Sequence, residues 1–190
     1  MKKEQLEYAA ARYGTPLYIF DLDILKKQTD RLRKALGKET GLCYAMKANP
    51  FLTEQMAEQA DRIEVCSMGE FEICRSLGIP PEKLFISGVL KKKEDIYRIL
   101  EIYGEKCRYT VESVRQLHYF LEWSDTHMKT LRLYPRLTNG SQFGMDEETM
   151  RSIVSIVNMS PYLEIEGIHY FSGTQKRHIR QFRQELQMLD

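Results

Sequence analysis

The chain has 190 residues, 43% hydrophobic and 29% charged, with a formal net charge of +1. That length suffices for one ordinary domain with a real core, and the composition is that of a soluble globular chain. The near-neutral balance excludes a strongly charged surface that would steer it to nucleic acid or an anionic membrane.

No apolar run reaches the roughly 20 residues of a bilayer span, and residues 1–5 have no apolar run behind them, so no signal peptide is expected. Cys43, Cys66, Cys74 and Cys107 form no C-x-x-C pair and read as reduced thiols of a cytoplasmic protein. His118, His127, His169 and His178 show no ligand spacing, so no metal is expected.

In chain order, residues 15–21 (Thr-Pro-Leu-Tyr-Ile-Phe-Asp) predict a strand, and a helix follows from Leu22 to Leu36, ended by Gly37. Short apolar runs predict buried strands at 42–46, 62–67, 83–87, 107–111, 130–134 and 164–171. Between them, 92–103 places Ile96, Ile99, Leu100 and Tyr103 on one helical face. Helices are also predicted at 112–122, with a less regular pattern, at 147–158 and at 178–189. The run Lys91-Lys92-Lys93 opens one of these helices and reads as a solvated face.

Short buried strands alternating with helices make βαβ units and a parallel sheet with right-handed crossovers. Six such units of about 25 residues fit between 42 and 190, whereas an eightfold barrel takes about 200 to 250 residues. The expectation is an α/β fold of the TIM-type (β/α)8 class, incomplete at about six units, with two open edges. The strand at 15–21 has no place in that barrel. The chain is therefore divided into 1–37, a strand and helix expected to belong to a second sheet outside these residues, and 38–190, the partial barrel.

Lys47 lies in Tyr44-Ala45-Met46-Lys47-Ala48-Asn49-Pro50, at the C-terminal end of the first barrel strand. Reactive groups of βα barrels lie at such ends. A partly desolvated lysine there is a nucleophile toward an aldehyde; taken alone, the same residue reads first as a lysine snorkelling to solvent.

The segment resembles the lysine motif of the fold-type III pyridoxal-phosphate enzymes, which include the diaminopimelate, ornithine and arginine decarboxylases and the alanine racemases. Further matches follow in the family's order: Glu64-Val65-Cys66-Ser67-Met68-Gly69-Glu70, residues 77–91, Val111-Glu112-Ser113, Leu131-Arg132-Leu133-Tyr134-Pro135, Ser141-Gln142-Phe143-Gly144, and Gly167-Ile168-His169-Tyr170-Phe171-Ser172-Gly173-Thr174-Gln175. The likeness runs from about residue 13 to the end. It is nearer to the decarboxylases, because racemases continue past the lysine with Ala-Tyr-Gly-His-Gly where Pro50-Phe51-Leu52-Thr53 stands here.

The resemblance implies an alanine-racemase-like barrel and pyridoxal 5'-phosphate as cofactor, with Lys47 as the residue that holds it and the catalytic residue. Glu64 alternates with Ile63 and Val65 and faces the barrel if they face the helices; a carboxylate there favours a charged amine. Glu70 reads as a cap of the next helix. Arg132 sits mid-strand and needs an anion, either a neighbouring carboxylate or the cofactor region. His169 and Phe171 share a face; alone, His169 reads as a satisfied core histidine. In the family a histidine at the position of Phe171 stacks on the cofactor ring. Gly173 and Thr174 offer backbone N–H and a hydroxyl to a phosphate.

Glu64 and Glu112 stand where the family has aspartates, Gln142 where it has lysine and Tyr134 where it has asparagine, which marks a divergent branch. The family's glycine-rich phosphate loop, the acidic partner of the pyridine nitrogen and the β-domain that completes a homodimeric site are expected outside residues 1–190. The reading is an incomplete decarboxylase of an amino acid, with weak cofactor binding and little turnover as it stands. A racemase and a non-catalytic pyridoxal-phosphate-binding module are the alternatives.

Overall fold

In the computed structural model, which describes residues 2–88, 91–174 and 179–189, the short apolar runs form one parallel sheet. Strands β1 (Cys43–Ala45), β2 (Arg62–Val65), β3 (Leu84–Ile86), β4 (Arg108–Val111), β5 (Leu131–Leu137) and β6 (Leu163–Ile165) lie side by side in chain order, each pair parallel. The order never reverses. That makes the sheet singly wound, as in a barrel, rather than doubly wound around a switch point.

The strands form because alternate residues are apolar and have helices to cover them. Ile63 and Val65, Leu84 and Ile86, Tyr109 and Val111, and Leu131 and Leu133 are all buried in one core with Phe71, Leu100, Leu117, Phe120 and Ile153. Each such side chain contributes about 1.5 to 3 kcal/mol of burial. The opposite parity carries Glu64, Phe85, Thr110, Tyr134 and Arg136, which line the inner face of the curved sheet.

The covering helices are α3 (Thr53–Gln59), α4 (Met68–Ser76), α5 (Lys93–Tyr103), α6 (Val114–His127) and α7 (Glu147–Met159); α1 (Lys3–Tyr13) and α2 (Leu22–Leu36) precede the sheet and α8 (Ile179–Leu189) follows it. Three of the covering helices start on side-chain caps. Ser67, Ser113 and Asp146 each accept a hydrogen bond from the backbone N–H three residues on, which satisfies a donor the helix itself leaves unpaired. The Glu70 carboxylate, in the first turn of α4, accepts from the Cys66 N–H at 2.6 Å, a reach-back of the capping-box kind.

Four expectations need correction. Residues 15–21 form no strand: among the described residues no neighbouring strand offers a ladder, and Tyr18 is 92% exposed. The helix after them does form, capped by Asp21 and ended at Gly37. The helix expected over 112–122 runs on to His127, because Trp123 and Ser124 continue its buried face. The single strand expected over 164–171 is two. β6 pairs Leu133 with Ile165, and β7 (His169–Tyr170) pairs Arg136 with His169, so the later chain holds one more residue than β5 across the same span. The extra residue lets Gly167 pass over the Tyr134 ring, where a Cβ would lie 2.9 Å from Cε1. The fourth concerns Lys91, which is taken up by the strand ends below rather than solvated.

α1 escaped the sequence reading because it buries no residue and so shows no apolar stripe. His178, the expected start of the last helix, lies outside the described residues.

Candidate active site

The C-terminal ends of the strands gather the charged residues. Lys47 follows β1 in a short turn, Met46–Ala48. Its Nζ is 3.7 Å from Glu64 Oε2 and 5.9 Å from the centre of the Phe171 ring. Glu64 lies on the inner face of β2 with its side chain 16% exposed, while Ile63 and Val65 are buried on the other side. Its second oxygen accepts from the Ser87 hydroxyl at 2.8 Å, and Ser87 Oγ is 3.1 Å from Cys66 Sγ.

The expected desolvation of Lys47 is not present: its side chain is 55% exposed. What distinguishes this amine is its company, a carboxylate and an aromatic face, not burial.

A second group lies beside the first. The Glu112 carboxylate is buried and accepts from Arg136 NH1 at 2.6 Å, from the Gly88 N–H at 3.1 Å and from the Thr110 hydroxyl at 3.2 Å. Burial works to raise its pKa, but Lys91 and Arg136 more than offset that, and it is held below the ordinary carboxylate value. Arg136 also lies over the Phe143 ring at 5.4 Å. His169, opposite Arg136 in the ladder, has a buried Nδ1 with no partner among the described residues. Burial, then the charge of Arg136, pushes its imidazole below the usual value, so the ring is neutral at pH 7.

Gly88 is built into this arrangement. Its φ is +105°, and a Cβ there would lie 2.6 Å from the Cys66 carbonyl oxygen, which is backbone and cannot swing away. Gly88→Ala is expected to cost about 2 kcal/mol or more in a denaturant melt and to loosen the N–H held by Glu112.

Of the expected site residues, the fold brings Lys47, Glu64 and Phe171 together and seats His169 beside Arg136 and Glu112. Phe171 is 44% exposed at the mouth. Gly173 and Thr174 follow it, exposed; a Cβ on Gly173 would meet nothing within 4 Å, so its backbone is open to an anion.

Arg132 is the exception. It is exposed, sits opposite Arg108 and Glu164 near the start of β5, and has no carboxylate within ion-pair distance among the described residues. Water carries its charge, so it needs no anion. Arg136 holds the inner position at the C-terminal end instead. Both arginines have the same parity; the signal that separates them is distance along the strand, because site residues cluster at C-terminal strand ends.

The family described as pyridoxal-dependent decarboxylase, pyridoxal binding domain, matches residues 22–189. The chain belongs to that family. Among its relatives are diaminopimelate decarboxylases from Aquifex aeolicus, 28% identical over 96% of this chain and 47% of that protein, and from Zymomonas mobilis, 31% identical over 87% and 44%. A third is the L-glutamyl-[BtrI acyl-carrier protein] decarboxylase of Niallia circulans, 29% identical over 92% and 45%. A crystal structure of an Aquifex aeolicus protein superposes with a TM-score of 0.81 at 29% identity, covering 95% of this chain and 45% of that one.

This pyridoxal-binding domain thus spans a little under half the length of the relatives it matches. The barrel order of the sheet and the family agree, and the fold is the incomplete TIM-type barrel expected. The residues present fit pyridoxal phosphate: an amine beside a carboxylate at the strand ends, a buried imidazole nitrogen with no partner among the described residues, and an open glycine backbone. Among the described residues no helix is long and apolar enough to cross a membrane, and no three His, Cys, Asp or Glu are grouped to hold a metal.

Proposed function

We propose that this domain is the cofactor-holding part of a pyridoxal-phosphate-dependent amino-acid decarboxylase of the diaminopimelate, ornithine or arginine type, in a cytoplasmic protein that is homodimeric when whole. The observation that carries this reading is Lys47 at the C-terminal end of β1, 3.7 Å from Glu64, inside the segment matched by the pyridoxal-binding family.

Pyridoxal phosphate, when bound, supplies the electron sink for the bond broken at the substrate's α-carbon. Lys47 is the amine that binds it. Glu64, 3.7 Å away, orients that amine. Phe171 offers an aromatic face in place of a histidine, so it stacks without donating a proton. His169, with a buried Nδ1 that has no partner among the described residues, offers a hydrogen-bonding atom without adding charge. Gly173 and Thr174 leave backbone and hydroxyl open to a phosphate, while Arg136 keeps a buried positive charge near the mouth. Arg132, at the far end of its strand, has no part in this.

The test is incubation of the protein, as its own cells make it, with pyridoxal phosphate and diaminopimelate, lysine, ornithine, arginine or glutamate. Release of carbon dioxide from one of them supports the proposal. Loss of optical activity without carbon dioxide replaces it with a racemase. Phe171 at the stacking position favours one other reading, a non-catalytic pyridoxal-phosphate-binding module; cofactor uptake with neither product would establish it.

A further inference from the structure

Lys91 opens a run of three lysines, yet its amine does not face water. Nζ donates to the Thr110 carbonyl at 2.6 Å and bonds the Thr110 hydroxyl at 2.7 Å. Thr110 is fully buried in β4, and its hydroxyl passes the contact on to Glu112 Oε1. Glu112 in turn clamps Arg136, and Arg136 pairs in the ladder with His169. Lys91 is therefore one end of a chain of side-chain contacts, Lys91–Thr110–Glu112–Arg136, whose last member is the ladder partner of His169.

We propose that Lys91 is a positioning residue of the candidate cofactor site: seated on Thr110, it holds Glu112 in place to clamp Arg136 beside His169.

An unpaired buried ammonium is costly, so a lysine is retained at such a place only where its partners use the charge. The partners here do. Glu112 from the end of β4 and Glu64 from β2 attract the amine, Cys66 lies beside it, and Arg136 from β5 opposes it. Asp95 of α5 lines the same cavity, with Ser67, Met68 and Ser87. Burial pushes the Lys91 amine down to about 7, against the upward pull of Glu112. It therefore still carries its charge over the lower range in which His169 titrates. There it repels a proton from His169 and stabilises the Glu112 carboxylate. No other side chain does both from outside the Glu112–Arg136 pair among the described residues.

The experiment follows His169 by NMR of histidine-labelled, ligand-free protein, with a His169→Gln variant to assign its ring, in the parent, Lys91→Met and Lys91→Arg. The Met side chain fills the space without charge. The His169 pKa is expected to rise by about half a unit in Lys91→Met and to return toward the parent in Lys91→Arg. Lys91→Gln is the second uncharged variant, should the first not fold, with the same rise expected. An unchanged His169 titration in the uncharged variants, or the same rise in the arginine variant, overturns the proposal.

The link to the cofactor rests on the decarboxylase-domain reading and is measured separately. Lys91→Met is expected to bind pyridoxal phosphate about tenfold more weakly, and Lys91→Arg about as the parent does. If the parent takes up no pyridoxal phosphate, the cofactor reading fails while the His169 titration still decides the role of Lys91.

Discussion

Lys47→Ala is expected to lose all absorbance of lysine-bound pyridoxal phosphate and to bind the cofactor about a hundredfold more weakly, equivalent to about 2.7 kcal/mol. The fold should not notice. Lys47 is more than half exposed, and its ion pair with Glu64, at 3.7 Å, is of the solvent-screened kind that contributes about 1 kcal/mol or less. Circular dichroism and the denaturation midpoint should therefore match the parent. Lys91 is the other lysine among these strand ends, but its amine is spent on Thr110. Borohydride reduction followed by peptide mass analysis separates the two: the parent should carry the fixed cofactor on Lys47 and the variant should carry none. A variant that still fixes the cofactor, on Lys91 or elsewhere, would sink the assignment.

The parts of this domain legible in the sequence are those where residue type and period act together. Ile63, Val65, Leu84, Ile86, Leu131 and Leu133 announce strands because each must bury its side chain against a helix, and the structure puts them there. Glu64 was legible for the converse reason: a charge of opposite parity between two buried residues has only the inner face to go to. What was not legible depends on who the neighbour is. The apolar composition of 15–21 is that of a strand, but a strand also needs a ladder, and none of the described residues supplies one. The break between β6 and β7 was hidden because it arises from the Tyr134 ring under Gly167, a contact between residues far apart in sequence. Arg132 and Arg136 have the same parity, and only their place along β5 tells them apart. Lys91 was misread for a similar reason. In a run of three lysines the first belongs to the strand-end loop and the third to α5, so a charge-run rule averages over two environments.

The Glu112–Arg136 pair should be the costliest single contact to break. Both side chains are nearly inaccessible, at 1% and 11% exposed, so removing one charge strands the other where water cannot reach it. Arg136→Met is expected to destabilise the domain by about 3 to 5 kcal/mol at pH 7, read from urea unfolding. The pH dependence gives the mechanism. In the parent, the Glu112 pKa is held below its ordinary value, so its contribution is present above that ordinary value and is lost as the pH falls through the depressed one. Without Arg136, burial raises the carboxyl against Lys91 and, more weakly, His169. The penalty is then for a buried charge, and protonation relieves it. The difference between variant and parent should accordingly be largest at neutral pH and shrink as the pH falls through the carboxylate range. Glu112→Leu combined with Arg136→Met should recover part of the loss, since neither charge is left alone. It should not recover all of it: the Gly88 N–H and the Thr110 hydroxyl lose their acceptor, at about 1 to 3 kcal/mol for each donor left unpaired. A double variant as stable as the parent would mean that the pair serves the site and not the fold. A single variant whose cost does not change with pH would mean that its loss is one of packing around the Arg136 stem, with the Glu112 charge playing no part.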